Sequence, residues 1–156
     1  MEIDKIIEGL NRKRNTPGIG SGNFQDRNLT EVEKTFIKTY NPEKSLIVYG
    51  TLAPNAPNHS VIEHIKGNWQ QGIVRGSLKK KGWGAELGYY GFKHTIQEDQ
   101  EEIKVFVLLS DELVENWQLL DDFEGNDYRR ILAKYELENG QVGVGNIYAI
   151  NEEEIN

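Results

Sequence analysis

"SLIVYGTLAPNAPNH", residues 45–59, is the stretch on which the fold turns. The apolar run Leu46-Ile47-Val48 stops at Tyr49-Gly50-Thr51-Leu52. Two prolines follow at once, Pro54 and Pro57, then Asn58-His59. A short apolar run bounded by turn residues reads as a buried strand. A strand meant only for a core has no need to end in this way, so its end is a candidate site. Glycine there allows close backbone approach, by a ligand or by another strand. Backbone N–H groups in such a turn can bind an anion or a polarised carbonyl oxygen. A tight structural turn is the plainer reading, and the stretch alone does not exclude it.

Downstream the texture stays strand-like. Ser60-Val61-Ile62-Glu63 has the capping-box pattern and predicts a short helix closed by Gly67. "GIVRGSLKK" reads as a strand, and "FKHTI" with "EIKVFVLL" reads as a hairpin around "QEDQE". "DELVENWQLLDDF" reads as a helix with Ser110 as N-cap and a core stripe of Leu113, Trp117 and Leu120. Gly125 suits a left-handed C-terminal position. "RILAKYEL" and "VGVGNIYAI" flank Glu138-Asn139-Gly140, and Asn-Gly between alternating segments is a strong hairpin signal. Upstream, residues 2–10 form a short helix with Ile3, Ile6, Ile7 and Leu10 on one face. A loop follows, then "TEVEKTFIKTY", with a Thr30/Glu33 capping box, an apolar row of Val32, Phe36 and Tyr40, and Pro42 as its stop. The order predicts an α+β fold: a small mixed β-barrel or strongly bent sheet flanked by helices. Residues 1–44 read as an N-terminal helical extension, 45–150 as the main domain and 151–156 as an acidic, solvated tail. The extension either packs on the domain or mediates association into a homo-oligomer.

Composition narrows the functions. At 156 residues the chain is the size of one ordinary domain. Its net charge is −7, carried by residues 45–156. An acidic balance argues against nucleic acid as a partner, since that requires clustered Lys and Arg. There are no cysteines, so disulfides, thiolate catalysis and Cys-based zinc sites are excluded. "MEIDKIIEGLNRKRN" is no secretory signal, and no window approaches a membrane span. The expectation is a soluble, cytoplasmic protein with no membrane partner. Nucleophile-elbow and phosphate-loop patterns are absent. The three histidines, His59, His64 and His94, form no recognised ligand set, so no metal site is expected.

One more feature could carry chemistry. In "LLDDFEGNDYRR", residues 119–130, Asp121, Asp122 and Glu124 crowd the C-terminal end of a predicted helix. The macrodipole is negative there and disfavours an anion. A general base wants that upward push on its pKa, and burial adds to it. Glu124, between Phe123 and Gly125, is the one expected to turn inward. Asp121 and Asp122 read as a solvated edge.

Taken together, "VYGTL…NH" and "LDDFEGNDYRR" resemble the gamma-glutamylcyclotransferase-like family, with "GIVRGSL" similar to its intervening Gly-rich strand. The resemblance covers roughly residues 45–150. It implies a small β-barrel with helices around it. It also implies an enzyme acting on γ-glutamyl amines or amino acids, in which the substrate's α-amine attacks its own γ-carbonyl, releasing 5-oxoproline and a free amine. No metal or organic cofactor is implied, and the partner is a small-molecule γ-glutamyl substrate. By the resemblance Glu124 is the general acid/base. Tyr49, Gly50, Thr51 and Leu52 cradle the γ-glutamyl group, and Tyr128 joins them, with a role in fixing the loop as the alternative for Tyr128 and Arg130. Three departures stand out. Asn55 replaces a usual glycine, which Asn tolerates best among the other residues. "LGYYGF" carries Tyr90 where the family often has proline, and residues 1–44 lie outside the family's usual core. The alternative function is a non-catalytic small-molecule or protein-binding module on the same fold. Metal-assisted amide hydrolysis ranks behind both.

Overall fold

The computed structural model describes residues 2–14, 29–50, 52–79, 91–93, 101–125 and 128–150. The strands are β1 (Ser45–Val48), β2 (Asn68–Lys79), β3 (Gly91–Lys93), β4 (Glu101–Leu109), β5 (Tyr128–Leu137) and β6 (Val142–Ile150). The helices are α1 (Glu2–Arg14), α2 (Glu31–Tyr40) and α3 (Trp117–Glu124). Pairing runs β1 to β4, β4 to β2, β2 to β5, β5 to β6 and back from β6 to β1, which closes a five-stranded barrel. Only the β6–β1 closure within that ring is parallel. β3 lies at one end, antiparallel to β2 and parallel to β6. The barrel and its flanking helices match the α+β expectation.

Periodicity explains which face each residue serves. Along β1, Ile47 points into the barrel with Val74, Val105, Val107, Ile131 and Ile147. Leu46 and Val48 point outward, yet they are buried under α3 with Leu108, Leu113, Trp117 and Leu120. Burial on both faces is why β1 reads as an unbroken apolar run rather than an alternating one. The barrel seam between β2 and β5 is short, with Gly72 opposite Leu137. A Cβ on Gly72 would sit 2.5 Å from the Glu136 carbonyl oxygen, so only glycine lets the strands approach. The β5–β6 hairpin forms where Asn139-Gly140 marks it. Gly140 N–H donates to Leu137 O (2.9 Å), and Gly140 alone in the turn takes a positive φ, 90°. That is a three-residue connection rather than a two-residue one.

Helices α1 and α2 pack on the barrel's outside. Ile7, Leu10 and Phe36 meet Leu132 and Val144. The capping box of α2 forms in full: Glu33 N–H donates to Thr30 Oγ1 (3.1 Å) and Thr30 N–H to Glu33 Oε1 (2.9 Å). Glu33 is also ion-paired with Lys13 of α1. Val32, expected in the apolar row, is 61% exposed; the inward place in that turn belongs to Glu33, drawn in by Thr30 and Lys13.

Three local expectations are corrected. Residues 60–63 do not open a capped helix. A 3₁₀ turn, His59–Val61, stands there without a side-chain cap, and successive turns sink Ile62 and Ile65 into the core. The segment before α3 is likewise a 3₁₀ turn, Asp111–Glu115, though Ser110 does cap it by accepting from Glu112 N–H (3.1 Å). β3 and β4 are not a hairpin among the described residues: β2 takes one edge of β4 along its whole length and β1 the other over residues 106–109. Tyr90, His94, most of "QEDQE" and the tail 151–156 lie outside the described residues. No helix among the described residues is long and apolar enough to cross a membrane.

Candidate active site

The turn after β1 forms one half of the candidate site. Tyr49 sends its phenol across the barrel end, where β1 gives way to β3 beside β6. The hydroxyl accepts from Phe92 N–H (2.7 Å) and donates to Tyr148 C=O (2.6 Å), so it bridges the backbones of β3 and β6 beside their pairing at Phe92 and Ala149. Its ring lies tilted against Phe92, 6.0 Å between centroids. Burial, and then the charge of Glu124, hold this phenol well above its ordinary pKa.

Gly50 follows. A Cβ built on it would meet no atom of the described residues within 4 Å, and its backbone is not in the left-handed region. Neither a neighbouring strand nor a strained turn therefore demands this glycine. Thr51 lies outside the described residues. Leu52 is buried, and its carbonyl accepts from His59 Nδ1 (2.9 Å). Ala53 N–H donates back to Gly50 O (3.1 Å). Asn55 has φ 68°, the left-handed value expected where glycine is usual.

The other half comes from α3, some seventy residues on. Trp117 and Leu120 bury one side of the helix. Asp121 and Glu124, three residues apart, share a neighbouring face. Gly125 then turns the chain at φ 71° and ψ −164°, a combination essentially confined to glycine, and β5 begins at Tyr128. Phe123 and Tyr128 join Leu52, Ala53 and Tyr148 in one apolar cluster, so the end of α3 and the turn after β1 are packed together. Glu124 keeps part of its surface open, but its carboxyl is enclosed. That desolvation raises its pKa from 4.5 to about 7. Its charge is felt at both Tyr49 and Tyr148.

Asp121 departs from the expected solvated edge. Arg130, 3% exposed, donates to it through Nε (3.0 Å to Oδ1) and Nη2 (3.3 Å to Oδ2). Tyr148 O–H donates to the same Oδ1 (2.6 Å). The guanidinium also reaches Glu43 Oε2 (3.1 Å) and lies 4.4 Å over the Trp117 ring. A bidentate partner turns Asp121 inward; Asp122, which among the described residues pairs with Gln118, stays at the surface. For Arg130 the structural role is the observed one. Of the sequence-derived residues, the fold thus gathers Tyr49, Gly50, Leu52, Glu124 and Tyr128. Sequence reasoning placed His59 in the motif "VYGTL…NH" without assigning it a contact, and gave no role to Glu43. Glu43 stands 87 residues from Arg130 and had no local signal. Elsewhere His64 is exposed and paired with Asn116 (3.0 Å). Among the described residues no group of three or more His, Asp and Glu could hold a metal ion.

Residues 46–156 match the family model described as gamma-glutamyl cyclotransferase, AIG2-like. Among solved structures the chain is similar to YkqA from Bacillus subtilis, with 26% identity and a TM-score of 0.53 over 69% of this chain. The match takes in 36% of the Bacillus protein, so this chain spans only a minor part of that protein's length. An AIG2-like protein of Mus musculus has the same fold, with 21% identity and a TM-score of 0.53 over 72% of this chain and 82% of that one. No curated protein matches.

Proposed function

Because the chain belongs to the AIG2-like gamma-glutamyl cyclotransferase family, we propose that it cyclises a γ-glutamyl amine or amino acid to 5-oxoproline with Glu124 as general acid/base. The observation that carries this reading is Glu124 itself, an enclosed carboxyl with its pKa raised to about 7, whose charge is felt at Tyr49 where β1 ends. The substrate's α-ammonium gives a proton to the Glu124 carboxylate. The freed amine attacks the γ-carbonyl carbon, and the oxygen gains charge as the ring C–N bond forms. The amide C–N bond then breaks as Glu124 returns its proton to the departing amine, and the positively charged ring nitrogen gives up its second proton to the same amine, which leaves as an ammonium. A pKa near neutrality suits both halves of that exchange, and help of this kind contributes roughly 10²–10⁴ in rate.

The oxygen requires fixed donors. In this reading the backbone of Gly50, Thr51 and Leu52 supplies them, with the open space over Gly50 left for the substrate. Tyr49 and Tyr128 wall the γ-glutamyl group. The step as written calls on no cofactor. A non-catalytic binding module would be favoured by a Glu124 turned to solvent, and its enclosure speaks for catalysis instead.

The test is a panel of γ-glutamyl amines and amino acids assayed for 5-oxoproline. Turnover of at least one is expected, with Glu124→Gln lowering kcat by about 10²–10⁴. A folded protein silent across the panel would count against the enzyme. Full activity in Glu124→Gln would sink the proposed base.

A further inference from the structure

We infer that His59 is the positioning residue of this site, holding the Leu52–Ala53 peptide plane so that the Leu52 N–H faces the substrate; this rests on the reading of the turn as the γ-glutamyl cradle. The chain between Leu52 and His59 is a loop built from turns. Ala56 N–H donates to Ala53 O (2.9 Å), and the two central residues are Pro54 and Asn55. Proline fixes φ at the first central position, and Asn55, at φ 68°, supplies the positive value a type II turn needs at the second. His59 N–H donates to Ala56 O (3.2 Å) around Pro57 and Asn58. Asn58, at φ −109° and ψ 15°, is close to the second position of a type I turn. The two Pro-Asn pairs therefore reverse the chain twice within seven residues and bring the imidazole back to the Leu52 carbonyl.

A carbonyl oxygen only accepts, so Nδ1 carries the hydrogen in this contact. The Trp69 ring, 5.6 Å from the imidazole centroid, supports it from the side. The Leu52–Ala53 peptide is then held at both ends: its C=O by His59 and its N–H by Gly50 O. Rotation of that plane would swing the Leu52 backbone, so pinning it fixes where the Leu52 N–H points. Misplacement of about 1 Å in such a constellation costs on the order of 10²-fold in rate.

The experiment compares His59→Phe with His59→Asn. Phenylalanine keeps a ring beside Trp69 and loses the donor. Asparagine places an N–H close to where Nδ1 stood. His59→Phe is expected to speed amide hydrogen exchange at Ala53 and to lower kcat/KM for the best γ-glutamyl substrate by about 10–100-fold. His59→Asn is expected to restore slow exchange and to recover most of kcat/KM. Equal loss in both variants, or loss that merely tracks a fall in Tm, would overturn the inference, as would unchanged Ala53 exchange in His59→Phe. If the wild type neither turns over nor binds any γ-glutamyl compound, the functional reading fails; the Ala53 exchange contrast still decides whether His59 pins this peptide.

Discussion

Glu124 and Gly50 are the two residues whose individual chemistry is most open to measurement. The raised pKa of Glu124 has a sign that works in two directions. As a base it must be ionised, so kcat/KM should rise with pH along an acid limb centred near 7. For stability the order is reversed. The folded pKa, about 7, lies above the ordinary 4.5, so the group's contribution is whole below 4.5 and is lost as pH climbs through 7. Glu124→Gln should therefore be more stable than wild type by about 1–3 kcal/mol at pH 8, after discounting for its partial exposure, and lose that advantage near pH 4. Urea titrations at the two pH values check this, and an equal difference at both would contradict it. Gly50 offers a cleaner separation. With open space at its Cβ and an unstrained backbone, Gly50→Ala should keep or slightly raise Tm, since alanine narrows the unfolded ensemble by about 0.4–1 kcal/mol. A methyl group in the proposed cradle should nevertheless raise KM at least tenfold. Unchanged KM would remove Gly50 from substrate contact. Both residues stand out in the sequence because each sits in a short motif, although no local backbone strain accounts for Gly50.

Elements were legible to different degrees, and the reason is where their bonds go. The α2 capping box and the β5–β6 hairpin are decided by residues within a few positions of one another, and both formed as read. Residues 60–63 carry the same capping letters as α2, yet the prolines and the His59 contact hold that segment in turns instead. α3 carries the proposed base, and its setting was invisible locally. Arg130 in β5 grips Asp121 one turn before Glu124, while Tyr148 in β6 grips the same carboxylate. These bonds span 9 and 27 residues, and nothing in the linear pattern marks them. Arg130→Met would leave Asp121 partly buried without the guanidinium that faces it. Loss of about 3–5 kcal/mol is expected by chemical denaturation. Arg130→Met combined with Asp121→Asn should lose less than the two changes summed, because neutralising Asp121 removes one stranded charge. Strict additivity would mean the pair is not coupled.

At the scale of the whole molecule, the extension read as an appendage proves to be fastened at several points. Asn11 of α1 accepts from Leu132 N–H (2.8 Å) and donates to Leu132 O (3.0 Å), as a neighbouring strand would. β2 reaches β5 only at residues 135–137, so this side-chain amide serves β5 where β2 does not extend. Asn11→Ala should cost about 2–4 kcal/mol, since both backbone groups would lose their partner in a partly buried setting. A loss below about 0.5 kcal/mol in a denaturation experiment would show that water replaces the amide freely. The 3₁₀ turn Pro42–Lys44 adds three more ties: Pro42 O to Asn146 Nδ2 (2.8 Å), Glu43 O to Trp117 Nε1 (2.8 Å) and Lys44 O to Ser110 N–H (3.0 Å). None of these was readable in advance, because they pair polar groups far apart in sequence whose letters also suit a surface. The parallel closure of the barrel has a consequence in time. Leu46 pairs with Asn146, a hundred residues later. Closing so wide a loop is paid in entropy before any contact rewards it, which places this topology among the slow folders. On the ribosome, β1 emerges long before β6 exists to receive it. Its unbroken apolar run must wait unpaired for most of synthesis, so the segment that frames the site is also the one most in need of shelter in a nascent chain.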